Sequence, residues 1–248
     1  MAGHSHWANI KHKKGRLDKV KASILSRMGK LIAIACQFGT PKVEENPRLR
    51  LAVAKARAAN MPIDAIHRAI AKAAGTLGSK APPQEVLYEG YAPGGVAVVV
   101  AAATDNRHRT APEISKIFEY GQGRMGTPGC VAWQFTDNAV FLVGPASDDA
   151  VMEALLTGNA DAQDLVANDQ GHVEITAAPN QYDAILKALT AAKIPVIESD
   201  LTKLPENGVD VSDPQIAKQI QDLVAELEDH QDVQDVYTNA RYLVEAAE

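Results

Sequence analysis

The first residues that could do chemistry lie in a basic arm at the start of the chain. The arm carries one aromatic side chain among cations: Trp7, Lys11, His12, Lys13, Lys14 and Arg16. Lys and Arg neutralise the phosphates of any nucleic acid, and an exposed Trp ring can stack on a base. The arm therefore predicts nucleic-acid binding. A second interpretation stays open, in which Trp7 anchors the arm to the helices that follow it.

Cations also follow one face of the first predicted helix. Apolar residues recur at three- and four-residue spacing from about residue 16 to residue 38, which is typical of an amphipathic helix. The opposite face carries Lys19, Lys21, Arg27 and Lys30. We predict that these four side chains extend the nucleic-acid-binding surface of the arm.

A further anion site is predicted between a strand and a helix at residues 104–110. Arg107 and Arg109 lie there, directly before the run TAPE at 110–113, which predicts a capping box. The N–H groups and the dipole of a helix start favour phosphate, and the two guanidinium groups add positive charge. The alternative is a tight surface turn in which Asp105 pairs with one of the arginines.

The run GQGRMG at 121–126 matches the glycine spacing of a dinucleotide-binding loop, but its context argues against that function. The dinucleotide motif follows a strand and opens a helix. This run follows a predicted helix and leads into a predicted strand, CVAWQF. We predict a flexible loop that carries one cation, Arg124.

The sequence gives little support to an enzymatic function. It has no G-x-S-x-G, H-E-x-x-H or P-loop pattern, and its carboxylates fall on predicted solvated helix faces. His4 and His6 lie near the start of the chain without a carboxylate or cysteine to complete a dedicated metal site. We therefore expect a protein that is not an enzyme and that uses no cofactor and no metal.

Three helices are predicted to position the basic residues. They span about 16–38, 46–60 and 62–75. Asn46 and Pro47 form a cap followed by a proline at the first helical position, and Gly75 supplies the residue that ends the third helix. Residues 1–80 are thus predicted to form a basic arm and a three-helix domain.

After residue 80 the pattern changes to short apolar runs that are typical of strands. Residues 138–204 predict strand, helix, strand, strand, helix and strand, which is the ferredoxin-like motif. The elements on either side complement one another and predict a split domain of residues 81–137 and 205–248. The predicted fold class is α+β, with a helical N-terminal domain followed by two ferredoxin-like α/β domains, the third inserted into the second.

The net charge of −6 is divided unevenly along the chain. Residues 1–80 carry 16 Lys and Arg against 4 Asp and Glu, whereas residues 81–248 carry 9 against 27. We expect the basic part to meet a polyanion and the acidic domains to serve solubility or to contact a protein partner. Alternatively, the two parts neutralise each other within the molecule.

Length and composition predict several folded modules. Of the 248 residues, 46% are hydrophobic and 23% are charged, and no stretch of 18 consecutive apolar residues is present. We therefore expect neither a membrane span nor a secretory signal. Cys36 and Cys130 lie far apart, which predicts reduced thiols. We expect a cytoplasmic monomer that makes no membrane contact.

Several blocks of the sequence resemble the YebC/PmpR family. They are MAGHSHWANIKHKKG, NPRLR, ANMP, YEGYAPGGVAVVV, TDNRHRT, GCVAWQF and VYTNA, in the order and spacing of that family. The resemblance covers essentially the whole chain. It implies three domains, one helical and two ferredoxin-like.

The resemblance also implies a nucleic-acid-binding regulator of gene expression. Bacterial members of the family are described as transcriptional regulators, so a DNA-binding transcriptional regulator is the first expectation. Mitochondrial relatives act as translational activators, so the alternative is a ribosome-associated translation factor that binds RNA. The sequence has no plain base-reading helix and no sign of dimer half-sites, which favours RNA.

Overall fold

The structure is a computed structural model, and it describes residues 21–75, 83–168 and 171–244. The chain divides into two compact units. One consists of residues 135–204, and the larger one combines residues 20–134 with the residues from 205 onward. The predicted basic arm lies outside the described residues.

The elements of the described residues are numbered in chain order. The helices are α1 (Lys21–Gln37), α2 (Pro47–Ala58), α3 (Ile63–Ala73), α4 (Arg107–Tyr120), α5 (Asp148–Thr157), α6 (Tyr182–Ala191) and α7 (Pro214–Asp229). The strands are β1 (Gln84–Tyr91), β2 (Ala97–Thr104), β3 (Arg124–Met125), β4 (Phe135–Val143), β5 (Asp164–Ala167), β6 (Val173–Ala177), β7 (Val196–Pro205), β8 (Val209–Val211), β9 (Val233–Thr238) and β10 (Ala240–Tyr242). The fold is of the α+β class, as the sequence predicts.

Helices α2 and α3 follow the predicted cap signals. The Asn46 side chain caps α2 by accepting a hydrogen bond of 3.0 Å from the Leu49 N–H, and Pro47 occupies the first helical position. Gly75 follows α3 with a φ of 77°. The first three helices share an apolar core in which Ile32 and Leu49 are fully buried.

The sheet of the larger unit has the strand order β3-β1-β2-β9, and its neighbours pair antiparallel. Strands β1 and β2 are joined by a turn in which Gly94 and Gly95 have φ values of 74° and 76°, a conformation that favours glycine. Phe118 of α4 and Leu223 of α7 pack against the inward residues of the strands, including Val98. Both helices therefore cover one face of the sheet.

The opposite face of this sheet is covered by α1. Alternate residues of a strand point to opposite faces. Val98 and Val100 belong to the core that includes α4 and α7, whereas Ala97 and Val99 point the other way and are just as buried. Helix α1 packs against β2 and β9. The helical region and the first sheet thus form one packed body.

The unit of residues 135–204 has the strand order β5-β6-β4-β7. With the chain order β4, α5, β5, β6, α6 and β7, this is the ferredoxin-like arrangement. The rings of Phe141 and Tyr182 stack with centroids 5.0 Å apart in its core. The order of elements is the one that the sequence predicts, although the first strand begins earlier, at Phe135.

The predicted strand CVAWQF is wrong. Ala132–Gln134 form a short 3₁₀ turn, and the strand begins only at Phe135. The N–H groups of Val131 and Ala132 donate to the carboxylate of Glu89 over 2.8 and 2.7 Å. Those donors cannot also join a strand ladder. The place of the missing strand at the sheet edge is taken by the two-residue strand β3.

The glycine run at 121–126 ends α4 and enters β3, so it is not the start of a dinucleotide-binding helix. Its glycines are required by packing. A β-carbon at Gly121 would lie 2.7 Å from Leu223, and one at Gly123 would lie 2.7 Å from the Tyr91 carbonyl oxygen. Arg124 lies in strand β3 rather than in the predicted flexible loop.

Candidate nucleic-acid interface

A buried carboxylate, that of Asp232, gathers several of the predicted site residues. Asp232 lies between α7 and β9, and its side chain has no exposed surface. Lys30 of α1 contacts Oδ1, and the Arg109 guanidinium of α4 lies 2.6 Å from Oδ2. The hydroxyls of Thr110 and Thr104 lie 2.7 and 3.2 Å from the same Oδ2. This Asp232 cluster therefore joins α1, α4 and the end of β2.

The Asp232 cluster holds its carboxylate in the ionised form. Burial alone would raise the pKa of Asp232, but hydrogen bonds from Lys30, Thr110 and Arg109 outweigh it and hold the pKa well below its usual range. The hydrogen bond to Asp232 in turn raises the pKa of Arg109. The charges of Lys30 and Arg109 are thus matched within the protein.

Arg27, one turn before Lys30 on α1, contacts the end of α7. Its guanidinium donates to the main-chain carbonyl of Glu228, and the Lys30 ammonium also donates to the Gln231 carbonyl over 3.2 Å. The carbonyls at the end of a helix lack partners within the helix and carry the negative end of its dipole. Two predicted nucleic-acid contacts on α1 therefore bind the C-terminal end of α7.

The predicted capping box at Thr110 is wrong, because α4 begins three residues earlier. Asn106 is the N-cap, and its side-chain oxygen accepts a hydrogen bond of 3.2 Å from the Arg109 N–H. Thr110 is fully buried inside the helix. Its hydroxyl forms hydrogen bonds with Asp232 and with the Asn106 carbonyl and does not cap the helix. Asn is as good a cap as Thr or better, and the buried carboxylate engages the threonine.

The structure thus brings three predicted site residues together: Arg27 and Lys30 at the end of α7, and Lys30 with Arg109 at Asp232. Arg107 lies apart from them on the surface at the first position of α4. Lys21 begins α1, but its side chain lies outside the description. The other predicted site residues also lie outside the described residues: Trp7, Lys11, His12, Lys13, Lys14, Arg16 and Lys19.

Helices α2 and α3 carry basic residues that the site prediction omitted. A cleft of about 290 Å³ lies between them, with Arg50, Arg57 and His67 at its edge and apolar residues such as Ile63 and Ile66 along its wall. Residues 21–75 hold ten Lys and Arg against three Asp and Glu. That excess was visible in the sequence, but within the first 80 residues the prediction included only the arm and α1.

A second buried carboxylate, that of Glu89, orders the loop before β4. It accepts hydrogen bonds of 2.7, 2.8 and 2.7 Å from the N–H groups of Gly129, Val131 and Ala132. Burial raises the pKa of Glu89, but these three bonds outweigh burial, and the net pKa lies below its ordinary value. The loop at 126–132, called the Glu89 loop, is therefore fixed by a single side chain from β1.

Two aromatic rings lie at the Glu89 loop. The Tyr91 hydroxyl and the Trp133 indole N–H both donate to the Cys130 carbonyl, over 3.3 and 3.2 Å. Both rings remain accessible, with 40% of Tyr91 and 70% of Trp133 exposed. A large exposed Trp is uncommon in folded proteins. The sequence-based prediction assigned no role to either residue.

Metal ligands, membrane spans and cysteines can be assessed within residues 21–75, 83–168 and 171–244. No group of three His, Cys, Asp or Glu side chains in these ranges could hold a metal ion. The described helices include none with the length and apolar character needed to cross a membrane. Cys36 and Cys130 are free, and burial raises the pKa of both thiols.

Two family models match the chain, and between them they include the residues of the Asp232 cluster and of the Glu89 loop. The model of the TACO1/YebC protein N-terminal domain matches residues 5–76, and that of the TACO1/YebC second and third domain matches residues 83–240. The chain belongs to the TACO1/YebC family. The Asp232 cluster takes Lys30 from residues 5–76 and its other members from residues 83–240, so it links the two segments that these models match.

Individual relatives resemble the chain over nearly its whole length. Proteins of Moorella thermoacetica and Cupriavidus necator are 42% and 44% identical to it, each over 97% of this chain and over 95% and 98% of their own lengths. Both are named as a probable transcriptional regulatory protein. The crystal structure of a conserved hypothetical protein from Aquifex aeolicus has a TM-score of 0.82 at 36% identity, covering 97% of this chain and 98% of its own.

Proposed function

We propose that this protein is a nucleic-acid-binding regulator of gene expression, and that it acts as a DNA-binding transcriptional regulator. The observation that carries the proposal is the positive charge of the helical region, +12 over residues 1–80. Such an excess on one part of an acidic chain is typical of a polyanion-binding surface. The names of the TACO1/YebC relatives support the same function.

The contacts of the described cations divide this charge into two groups. Arg27, Lys30 and Arg109 are engaged at α7 and Asp232, so their role in the proposal is to hold the helical region on the sheet. Arg57 on α2 and Arg68 and Lys72 on α3 are exposed. We infer that these exposed cations, with the arm and Arg107, meet the phosphates.

The proposed role of the acidic unit follows from its negative charge. Residues 138–204 carry ten Asp and Glu against Lys187, Lys193 and Lys203. A surface of that sign repels phosphate, so the acidic unit would contact a protein partner or position the basic region. The protein would regulate by binding rather than by catalysis, in the cytoplasm, as a monomer.

Salt dependence of DNA binding tests the proposal. A variant in which Lys11, Lys13, Lys14 and Arg16 are changed to Ala should bind a DNA duplex more weakly. Its slope of log affinity against log salt should be smaller by up to about 0.9 for each lost phosphate contact. Fluorescence anisotropy with a labelled duplex between about 50 and 200 mM salt measures both quantities.

The matched control removes lysines from the acidic unit. Lys187→Ala with Lys193→Ala should leave both affinity and slope as in the unchanged protein, since these residues lie in a negative field. An equal salt slope in the arm variant and the unchanged protein would refute the role of the arm. Absence of binding to any duplex or single strand at low salt would refute the function as a whole.

A ribosome-associated translation factor that binds RNA is the second candidate. The observation that favours it is the exposure of Tyr91 and Trp133, because unpaired RNA bases are commonly recognised by stacking on aromatic rings. A sucrose gradient of cell lysate, run with and without ribonuclease, separates the two candidates. Co-migration with ribosomal fractions supports the translation factor, and migration with free protein supports the DNA regulator.

A further inference from the structure

The Tyr91 and Trp133 rings share one anchor. Both polar groups donate to the same carbonyl oxygen, that of Cys130. Because the hydroxyl and the indole N–H already have this partner, an incoming ligand is offered the faces of the two rings. Faces of aromatic rings bind planar apolar or π-rich groups, and nucleobases are of that kind.

The anchor is rigid because it belongs to the Glu89 loop. Three backbone N–H groups of that loop donate to a carboxylate that is only 5% exposed. The Gly126 N–H adds a bond of 2.7 Å to the Glu89 main-chain carbonyl. A surface that is ordered before its ligand arrives loses less conformational entropy on binding.

A cation pairs with Tyr91 across the sheet. Arg124 of β3 is the direct antiparallel partner of Tyr91 in β1, and side chains that lie opposite each other in such a pair project from the same face of the sheet. Arg124 is exposed. A positive group near exposed aromatic rings is the combination that binds the backbone and the bases of a single strand together.

We propose that Tyr91 and Trp133 form a stacking platform for unpaired nucleobases, with Arg124 as its phosphate contact. The proposal rests on the proposed nucleic-acid-binding function and adds a second contact, made by residues other than those of the basic arm. The partner it fits is a single-stranded segment, because paired bases keep their faces stacked on one another. The arm binds by charge, and the platform selects strands whose bases are free.

Tryptophan fluorescence tests the platform directly, since Trp7 and Trp133 are the two tryptophans of the chain. In a Trp7→Phe background, Trp133 is the sole tryptophan reporter. Addition of oligothymidine or oligouridine should quench its emission, and a DNA duplex of equal length should quench it less. The additional change Trp133→Ala should weaken single-strand binding about tenfold, measured by anisotropy, and should leave duplex affinity unchanged.

Two variants serve as controls. Tyr120→Ala removes another ring, one that is 84% exposed on α4, and should leave single-strand affinity unchanged. Trp133→Phe keeps an aromatic face and should recover part of the affinity that Trp133→Ala loses. Because 70% of Trp133 is exposed, both Trp133 variants should melt close to the temperature of their parent.

The outcomes separate the platform from the general function. Equal single-strand affinity with and without Trp133, while the arm variant binds more weakly, overturns the platform and leaves the proposed function standing. The rings would then serve a protein partner. Failure of the parent protein to bind strand or duplex at low salt overturns both proposals. Tighter binding of oligouridine than of oligothymidine supports the platform with RNA as its ligand, and the reverse supports it with DNA.

Discussion

Among the described residues of the larger unit, two carboxylates are buried, and they are satisfied in different ways. Asp232 is bound by side chains from separate elements. They are the cations Lys30 and Arg109 and the hydroxyl of Thr110. Glu89 is bound by the backbone N–H groups of one loop. The first arrangement ties segments that are distant in sequence, whereas the second gives one loop its shape.

Because the two carboxylates are bound in different ways, loss of each should have a different effect. Loss of the Asp232 charge leaves Lys30 without its carboxylate and leaves Arg109 with only the longer contacts to Asp105 and Glu113, at 3.4 and 3.8 Å. It should therefore loosen the helical region from the sheet. Loss of the Glu89 charge frees N–H groups in the Glu89 loop, where Tyr91 and Trp133 are anchored. The Asp232 cluster should therefore control global stability, and the Glu89 loop should control local order and the proposed platform.

The largest effect is expected from Asp232→Asn. The neutral amide cannot balance Lys30 and Arg109, and removal of one partner of a buried ion pair costs about 3–5 kcal/mol. Because 21% of Lys30 and 38% of Arg109 are exposed, water can compensate in part. We expect the free energy of unfolding to fall by about 3 kcal/mol, measured by urea denaturation with circular dichroism.

The exposed ion pair of Asp210 with Arg241 supplies the matched control. Asp210→Asn makes the same chemical change where water solvates both partners, so the urea midpoint should hardly move. Similar losses in the two variants would show that the Asp232 cluster is no more than a surface ion pair.

Acid should weaken the fold through both carboxylates, and more through Asp232. Both pKa values lie below their ordinary range, so the stabilisation is complete above about pH 4 to 5 and is lost as the pH falls towards the folded-state pKa values. Between about pH 5 and pH 3 the melting temperature of Asp232→Asn should fall less steeply than that of the unchanged protein. Parallel curves from differential scanning calorimetry would contradict the prediction.

Glu89→Gln should have an intermediate and more local effect. An amide oxygen can accept some of the three hydrogen bonds but carries no charge, so about 2 kcal/mol of stability should be lost. Hydrogen exchange should accelerate at the amides of Gly129, Val131 and Ala132 before it does so elsewhere. Uniform acceleration of exchange throughout the larger unit would show that Glu89, like Asp232, controls global stability.

The smallest effect is expected from Thr110→Val, which keeps the side-chain shape and removes the hydroxyl that bonds Asp232. About 1 kcal/mol of stability should be lost. Asn106→Ala removes the actual cap of α4 at a cost of about 1 kcal/mol. In a background of Asp232→Asn, the effect of Thr110→Val should shrink while that of Asn106→Ala remains. Full additivity of Thr110→Val with Asp232→Asn would mean that the two side chains do not interact.

Much of the fold could be predicted because its signals are local. Asn46 with Pro47 specifies the start of α2 within a few residues of chain. The short apolar runs that predict β1 and β2 are equally local signals. The start of α4 could not be predicted in this way. Asn106 and Thr110 are both acceptable caps by sequence, and the choice is made by Asp232, which lies 122 residues after Thr110.

The sequence predicts the positive charge of the candidate interface, but it does not predict which residues pair with its cations. Composition reveals the basic half of the chain, yet no local pattern shows that Lys30 meets a carboxylate 202 residues away. The apolar run at Cys130 predicts a strand by its residue types, although Glu89 takes the N–H groups that a strand would need. The assignment of the arm to nucleic acid stays a prediction.

The position of β9 at the edge of the first sheet has a consequence for synthesis on the ribosome. Strand β2 emerges with one edge unpaired, and its neighbour β9 follows about 130 residues later, after residues 135–204 have been made. At usual elongation rates the delay is roughly 10 seconds. During that interval the nascent chain presents an open β edge and a Lys30 side chain whose partner Asp232 has not yet been made, so it is then most exposed to misassembly and most in need of a chaperone.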